Sequence, residues 1–477
     1  MTKDMTTGSP AKHIVAFTLP LMLGNIFQQL YSMVDTMIVG RTMGQEALGG
    51  VGSTGAVMFM VMGLCMGFAT GCSIPVAQEF GARDFKNLRR YVGNMIWLVG
   101  AIAVVFTALT MIFCGGILKA MNTPGDIYGY AYDYLIVMFL GLPVAMLYNS
   151  LSSLMRALGD SVTPVVFLTI AAVLNVGLDL LFILVFDSGV SGAAWATVIS
   201  QGVSCAGCFI VILKRFDVLR ISRRDMKLSG RHLKRLTAMG LPMGLQFCIT
   251  AIGSVMLQTS VNALGAVYVS AITAASKISM LFTCVFDSMG ATMSTYGGQN
   301  IGAGRLDRIR RGLRAVLVMS AVYAVISLVL CWLLNRPMIG LFVDRPDNQI
   351  VDLANRYLIT SSVFYMAVGI VNIFRLLIQG LGFARIAMLA GVLEMIGRGV
   401  VGLVFIPAVG FAAACYSGPI AWILADLFLV PAYFRVMKRL EREIPAKKPE
   451  DIEAEIQAEA MERAGALNSE FEVRSSE

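Results

Sequence analysis

MIWLVGAIAVVFTALTMIFC, residues 95–114, decides the fold, because it is a run of twenty residues without a single charge. A helix needs about 20 apolar residues to cross the roughly 30 Å hydrocarbon core of a bilayer. Similar runs recur along the 477-residue chain, which is 57% hydrophobic and 14% charged, with a mean hydropathy of +0.73. The alternating ten-residue strands typical of a membrane barrel are not apparent. The sequence therefore predicts an all-α integral membrane protein.

Lys and Arg concentrate in alternate loops between the apolar segments. The basic loops lie at 83–90, 214–235, 305–314 and 435–442, whereas intervening loops such as FDSGVSG at 186–192 contain neither residue. The positive-inside rule assigns the basic loops to the cytoplasm, which accounts for the net charge of +8 without a nucleic-acid partner. Twelve apolar segments then place both termini in the cytoplasm. These segments are 14–39, 51–76, 91–117, 129–152, 164–186, 190–213, 238–262, 268–296, 314–334, 357–381, 386–406 and 411–434.

The two halves of the chain repeat each other. FTLPLMLG at Phe17 matches MGLPMGLQ at Met239, and LMRALGD at Leu154 matches LIQGLGF at Leu377, so the offsets are 222 and 223 residues. Both halves start on the basic side, which makes them parallel repeats, an arrangement suited to alternating access. We expect an N-terminal six-helix lobe at 1–213, a basic cytoplasmic linker at 214–237, a C-terminal six-helix lobe at 238–440 and a charged cytoplasmic tail at 441–477.

An aspartate interrupts the first apolar segment. Asp35 carries a cost of about 2.5–3.5 kcal/mol at the centre of a membrane helix, and no opposite charge stands next to it in the sequence. Gln28 and Tyr31 precede it at spacings of three and four residues, so all three share one helical face. Because lipid cannot satisfy these groups, we expect that face to line a cleft or the bundle interior.

Two further polar stripes follow in the same half. Asn175 and Asp179 lie four residues apart in the fifth segment, and Thr197 and Gln201 lie four apart in the sixth. If these stripes meet Asp35, two carboxylates, an amide and a hydroxyl share a site of low dielectric constant. Such a site can bind and release a proton, or coordinate Na⁺ through its oxygen atoms. A third reading is that each acid is hydrogen-bonded and structural.

The second half lacks these acids. Adding 222 places Leu257 opposite Asp35 and Val401 opposite Asp179. Glu394 and Arg398, four residues apart, are expected to form an ion pair along one helix. In place of those acids, the second half carries other charged residues within its apolar segments or close to them: Lys277, Asp287, Arg375, Glu394, Arg398 and Asp426.

Several stretches in order resemble the multidrug and toxic compound extrusion (MATE) family, in particular its bacterial branch. They are NIFQQLYSMVDTMIVGRTMG at 25–44, QEFGARD at 78–84, LMRALGDSVTP at 154–164 and GQNIGAGR at 298–305. The resemblance implies two six-helix bundles arranged as a V in a bacterial cytoplasmic membrane. It also implies export of drug-like, often cationic, molecules in exchange for H⁺ or Na⁺.

The resemblance also implies residue roles. The first-lobe cation site corresponds to Asp35, Asn175, Asp179 and Thr197, with H⁺ or Na⁺ as the coupling ion and no other cofactor. A glutamate that some members carry in the seventh helix is Thr250 here, which favours coupling in the first lobe. The candidates for lining the substrate pocket are Gln28, Tyr31, Asn149, Gln201 and Gln246.

The expected partners are small organic cations and membrane lipids, and the expected state is a monomer. A flippase for lipid-linked precursors, from the same superfamily, is the alternative function. It would need a cationic cavity, for which Lys277, Arg375 and Arg398 are candidates. A membrane enzyme has little support, because both histidines, His13 and His232, lie in predicted cytoplasmic flanks and no catalytic motif is present.

Overall fold

The computed structural model describes residues 3–121, 123–340 and 348–444, without the side chains of residues 33–45 and 48. Helices make up nearly all of this part of the chain. They are α1 Pro10–Ser53, α2 Gly55–Gly81, α3 Phe85–Ala120, α4 Gly125–Leu140, α5 Leu142–Ala157, α6 Val162–Leu180, α7 Gly189–Arg215, α8 Gly230–Asn262, α9 Ala266–Gly302, α10 Leu306–Gly340, α11 Asn348–Val363, α12 Tyr365–Gly380, α13 Ala384–Val400, α14 Ile406–Val409 and α15 Phe411–Glu443.

Ten helical spans in the described residues are long and apolar enough to cross a bilayer, and two bent pairs raise the number to twelve. The pairs are α4 with α5 and α11 with α12. The predicted helical bundle with twelve spans is therefore confirmed. Its boundaries were less accurate, since α1 continues to Ser53 although the first segment was predicted to end at residue 39. A helix can continue beyond the hydrocarbon core of the bilayer, so the length of the apolar segment underestimates the length of the helix.

The internal repeat is visible in the distortions of the helices. The α4–α5 pair bends by 49° and the α11–α12 pair by 51°, at breaks 223 residues apart. A π-helical turn at Leu181–Val185 follows α6, and another at Val401–Phe405 follows α13, 220 residues later. This local offset makes Gly399 the counterpart of Asp179, in place of the predicted Val401. The correction leaves the second lobe without a carboxyl group at that position.

The lobes join at one end of the bundle, which we call the basic face: the ends of α2, α7, α9 and α15 and the starts of α3, α8 and α10. There α2 and α9 cross so closely that a Cβ on Gly81 would lie 1.9 Å from the Gln299 carbonyl oxygen. A Cβ on Gly302 would lie 1.8 Å from the Gln78 carbonyl oxygen. Only glycine permits this approach, which explains the QEFGARD and GQNIGAGR pair in the repeat.

Further contacts between the lobes continue from the basic face towards the middle of the bundle. The Thr18 and Thr292 hydroxyls lie 2.8 Å apart, and the Asn25 amide donates to Ser288 Oγ at 2.9 Å, so the first half of α1 packs on the last part of α9. On α2, Gly67 approaches the backbone of Met243 in α8. These contacts lie on the basic halves of α1, α8 and α9, so the two lobes are closed against each other at the basic face.

The N-terminal segment, residues 3–9, crosses the closed junction. On the first lobe, the Lys3 N–H donates to the Leu158 carbonyl and Asp4 pairs with Arg83 at 3.2 Å. On the second lobe, the buried Arg308 side chain donates to three carbonyls of this segment. The bonds run to Met5 at 2.9 Å, Thr7 at 2.9 Å and Gly8 at 2.7 Å. The segment therefore ties both lobes together at the basic face.

The region between α7 and α8 packs on the first lobe. The Asn94 side-chain oxygen accepts from the Ser229 N–H at 2.8 Å, and the Trp97 indole N–H donates to the Met226 carbonyl at 3.0 Å. A Cβ on Gly93 would lie 2.4 Å from the Asp225 carbonyl oxygen. Part of the basic stretch predicted as a linker is thus fixed against α3, and its last residues already belong to α8.

Candidate functional site

The predicted polar stripes of α6 and α7 meet inside the first lobe. Asn175 and Asp179 are 1% and 0% exposed, and the Asn175 amide lies 3.2 Å from Thr197 Oγ1. The amide orientation that satisfies both of its ends donates to Asp179 Oδ2 at 2.9 Å and to the Tyr31 hydroxyl at 3.2 Å. In that orientation its oxygen accepts from Thr197 Oγ1 at 3.2 Å and from the Thr197 N–H at 3.0 Å. We call these four side chains the first-lobe quartet: Tyr31, Asn175, Asp179 and Thr197.

Asn175 is the centre of the quartet, because a side-chain amide can donate and accept at once. It connects α1, α6 and α7 through a single hydrogen-bonded group. The π-helical turn at Leu181–Val185 starts two residues after Asp179, and such turns occur frequently at functional sites. The first-lobe quartet therefore lies next to the π-helical turn that follows α6, and its carboxylate has no contact with bulk water.

The remaining predicted residues differ in their surroundings. The side chain of Asp35 lies outside the part of the structure that is described. Gln28 is exposed and Gln201 is half-buried, whereas the Asn149 amide donates to the Ala145 carbonyl of its own helix at 2.9 Å. Gln246 is buried and accepts from Gln379 Nε2 at 2.7 Å. Gln246 therefore joins α8 to α12 in this conformation.

A second polar network lies in the C-terminal lobe and links α9, α12, α13 and α8. Arg375 donates to Glu394 Oε1 at 2.7 Å and also to the side-chain oxygen of Asn372, whose nitrogen donates to Asp287 Oδ1 at 2.7 Å. At the other end, Arg398 donates to Ser254 Oγ at 3.0 Å. We call this chain the second-lobe network: Asp287, Asn372, Arg375, Glu394, Arg398 and Ser254.

The expected Glu394–Arg398 pair is present at 3.9 Å, but the shorter contact of Glu394 is with Arg375 on another helix. Helical spacing cannot reveal a partner on a different helix, so the sequence missed this pairing. Asn372 was missed as well. Its spacing from Arg375 and Gln379, three and four residues, is the signal that could have identified a polar face on α12.

Comparison with known proteins agrees with this architecture. The family model described as MatE matches residues 20–181 and again 242–405, once for each lobe, and together the matches cover more than half of the chain. The chain belongs to the MatE family. It is therefore a multi-pass membrane transporter and not an enzyme.

Two relatives in the MatE family carry functional names. The chain is 30% identical to "Probable multidrug resistance protein YpnP" of Bacillus subtilis (strain 168) over 77% of its own length and 82% of that protein. It is 22% identical to "Multidrug export protein MepA" of Staphylococcus aureus (strain N315), over 80% and 84% of the two chains.

Among solved structures, the chain is similar to an outward-facing conformation of a multidrug resistance MATE family transporter of the MOP superfamily. The TM-score is 0.86 at 22% identity, and the match covers 92% of this chain and 99% of that one. At this identity the likeness establishes the fold. It supports the MatE arrangement of two six-helix lobes around a V-shaped cleft.

Proposed function

We propose that this MatE transporter is a secondary antiporter that exports drug-like, cationic small molecules in exchange for H⁺, or alternatively Na⁺. The observation that carries the proposal is Asp179, a fully buried carboxylate held by Asn175 in one lobe and replaced by Gly399 in the other. The fold does not need an acid here, since its counterpart is absent. The names of the relatives, multidrug resistance and multidrug export, support the substrate class.

The hydrogen bonds of the first-lobe quartet favour H⁺ over Na⁺ as the coupling ion. The Asn175 oxygen and the Thr197 hydroxyl bond to each other, and the Asn175 nitrogen points at Asp179. Binding Na⁺ would require these oxygens to exchange hydrogen bonds for the ion, whereas a proton needs only a carboxylate oxygen. Sodium remains the alternative, because carboxylate, amide and hydroxyl oxygens are the ligands of hard cations.

Alternating access links the site to transport. We place the basic face in the cytoplasm, with both termini, because Lys and Arg concentrate there. Because the junction at this face is closed, we infer that the cleft opens to the opposite side and that this conformation faces outward. Protonation of Asp35 and Asp179 from outside would release a cationic substrate and allow the cleft to close. Substrate binding and deprotonation on the cytoplasmic side would drive the return, and the transporter would act as a monomer.

The flippase alternative depends on a cationic cavity. Arg375 and Arg398 both contact Glu394, so their charge is compensated within the second-lobe network. Lys277 alone keeps the alternative open, because it is exposed and makes no ion pair among the described residues. A single lysine is a weak basis for binding a pyrophosphate headgroup, so we favour cation export.

Transport of ethidium in proteoliposomes tests the proposal, with the proton and sodium gradients imposed separately. Asp179→Asn and Asp35→Asn should each abolish gradient-driven transport while the protein remains folded. Asp133→Asn, the same change at an exposed position in α4, is the matched control. Wild-type transport rates in Asp179→Asn would refute a coupling role for this residue, and transport driven by sodium alone would change the coupling ion.

A further inference from the structure

Asp287 differs from every other charged side chain of the second-lobe network, because its side chain is exposed although it lies halfway along α9. Asn372, with which it bonds, is only 4% exposed, and Glu394 is also 4% exposed. An exposed residue in a membrane protein faces either lipid or a water-filled space. The helical positions around Asp287 decide between the two.

Neighbours on α9 show where Asp287 points. Ser288 and Cys284 face α1, since the Asn25 amide reaches Ser288 Oγ at 2.9 Å and the Cys284 carbonyl at 3.5 Å. Gly290 faces α12, because a Cβ there would lie 2.6 Å from the Asn372 carbonyl oxygen. At about 100° per residue, Asp287 lies between these two directions. It therefore points to the corner between the lobes, away from lipid, at the floor of the cleft.

Asp287 forms no ion pair with any other side chain that the structure describes. Its only hydrogen-bond donor in the described chain is Asn372, and its second carboxylate oxygen accepts no hydrogen bond there. The nearby Arg375 is directed elsewhere, towards Glu394 and the Asn372 oxygen. Since that oxygen accepts from a guanidinium, the amide nitrogen must face Asp287, which fixes Asp287 as a hydrogen-bond acceptor.

The balance of charges inside the C-terminal lobe also indicates that the carboxylate of Asp287 is not neutralised. Within the described part of the C-terminal lobe, the interior holds three carboxylates, Asp287, Glu394 and Asp426, against the guanidiniums of Arg375 and Arg398. Both guanidiniums contact Glu394, so the uncompensated negative charge is left on the other two acids. Asp426 is half-buried and one of its oxygens is sealed from solvent without a partner, whereas Asp287 is open to the cleft. Asp287 is therefore the carboxylate that a cation entering the cleft can reach.

We propose that Asp287 is the anchor for the cationic group of the substrate on the C-terminal wall of the cleft, with Asn372 as the residue that positions it. The inference rests on the proposed function, because it assigns the substrate site of the same exporter. Gln28 is exposed on α1 three residues beyond Asn25, which places it about 5 Å above the level of Asp287. A ligand whose ammonium or phosphonium group sits at Asp287 would thus extend along Gln28 and Tyr31.

With this placement, the coupling ion and the cationic substrate have separate binding sites. The coupling ion would bind in the first lobe, at Asp35 and Asp179, and the substrate would bind at the second lobe. Competition between them would then act through closure of the cleft and not through a shared carboxylate. On this proposal, the two lobes differ in their polar residues because one binds the coupling ion and the other binds the substrate.

Binding of ethidium to the purified full-length chain tests the anchor, measured by fluorescence polarisation. Asp287→Asn should raise the Kd at least tenfold, since it removes the charge and keeps the shape. Asn372→Leu should raise it by a smaller factor, about threefold, and Asp287→Glu should restore part of the affinity. Asp352→Asn, the same change at an exposed residue of α11, is the control and should alter the Kd less than twofold.

A second measurement on the wild-type protein covers the case in which Asp287→Asn does not fold. A water-soluble carbodiimide with glycine methyl ester should modify Asp287, and saturating ethidium should protect it. Unchanged affinity in Asp287→Asn, or modification that ethidium does not slow, would overturn the anchor.

The result also separates this inference from the proposed function. Ethidium transport by the wild-type protein with an unchanged KM in Asp287→Asn would overturn the anchor alone. A wild-type protein that neither binds nor transports ethidium would overturn both proposals.

Discussion

Replacing Arg308 with alanine should release the N-terminal segment and weaken the closed junction at the basic face. Arg308 is 6% exposed and donates four hydrogen bonds, to the carbonyls of Met5, Thr7 and Gly8 and to Asn300 Oδ1 at 3.0 Å. No other side chain in the described chain binds three carbonyls of this segment. The alanine variant would remove all four bonds. The Met5 carbonyl would keep its contact with Asn300 Nδ2 at 3.3 Å, and the Thr7 carbonyl its contact with His13 Nε2 at 2.8 Å.

The size of the effect follows from which acceptors are buried. Hydrogen bonds to a charged donor contribute about 1.5–3 kcal/mol each. The bonds to Met5 and Asn300 are buried, whereas those to Thr7 and Gly8 are partly buried and can be replaced by water. Counting only the two buried bonds at the lower value gives about 3 kcal/mol. Because 1.4 kcal/mol corresponds to a factor of ten, release of the segment should become about 100-fold more frequent.

Hydrogen exchange followed by mass spectrometry measures this release directly. The Met5 N–H donates to Gln299 Oε1 in a buried bond at 3.0 Å, so peptides covering residues 3–9 should exchange slowly in the wild-type protein. They should exchange much faster in Arg308→Ala, together with the ends of α2 and α9 where the lobes cross. Arg311→Ala, at an exposed position one turn away, is the control. Wild-type exchange in residues 3–9 of Arg308→Ala would refute the reasoning.

Three further changes test other parts of the structure. Gly81→Ala should lower the melting temperature, because its Cβ would meet the carbonyl oxygen of Gln299, whereas Gly100→Ala, with nothing within 4 Å, should leave it unchanged or slightly raised. Asn175→Leu should cut gradient-driven ethidium transport at least tenfold with little change in Kd, because it disconnects the first-lobe quartet; a parallel rise in Kd would contradict separate sites. Lys277→Gln should change the ethidium Kd by less than twofold. Lys277 lies about 15 Å along α9 from Asp287, and at that distance in water its repulsion of a cation bound at Asp287 is about 0.3 kcal/mol. A tenfold change would place the cation near Lys277.

Much of the fold could be predicted from single residues and their spacing. Apolar length and the alternation of basic loops predicted twelve spans, and the matched motifs predicted two lobes. The internal breaks could not be predicted, because neither Gly141 nor Phe364 stands out in a membrane helix. The sequence predicted that Asn175 and Asp179 share one face of a helix, whereas their contact with Thr197 on the next helix was only a possibility that the tertiary structure decided.

The second lobe shows the limit of such reasoning most clearly. Helical spacing predicted that Glu394 would pair with Arg398, and the stronger contact proved to be with Arg375 on a different helix. The lone charge of Asp287 could not be assigned to lipid, core or cleft from spacing alone. Its direction depends on how α9 is rotated between α1 and α12, which is set by packing against both.

The sequence by itself determined that this chain crosses a membrane, that it consists of two related halves, and that only the first half carries acids at Asp35 and Asp179. These properties are local, since they depend on the residues present and on their spacing along a helix. Tertiary structure decided that the lobes close at the basic face, that Gln246 is held by Gln379, and that Asp287 faces the cleft. The physical reason is that hydrogen bonds, ion pairs and solvent exposure depend on which helices become neighbours, and close approaches such as that of Gly81 to Gln299 fix those neighbours.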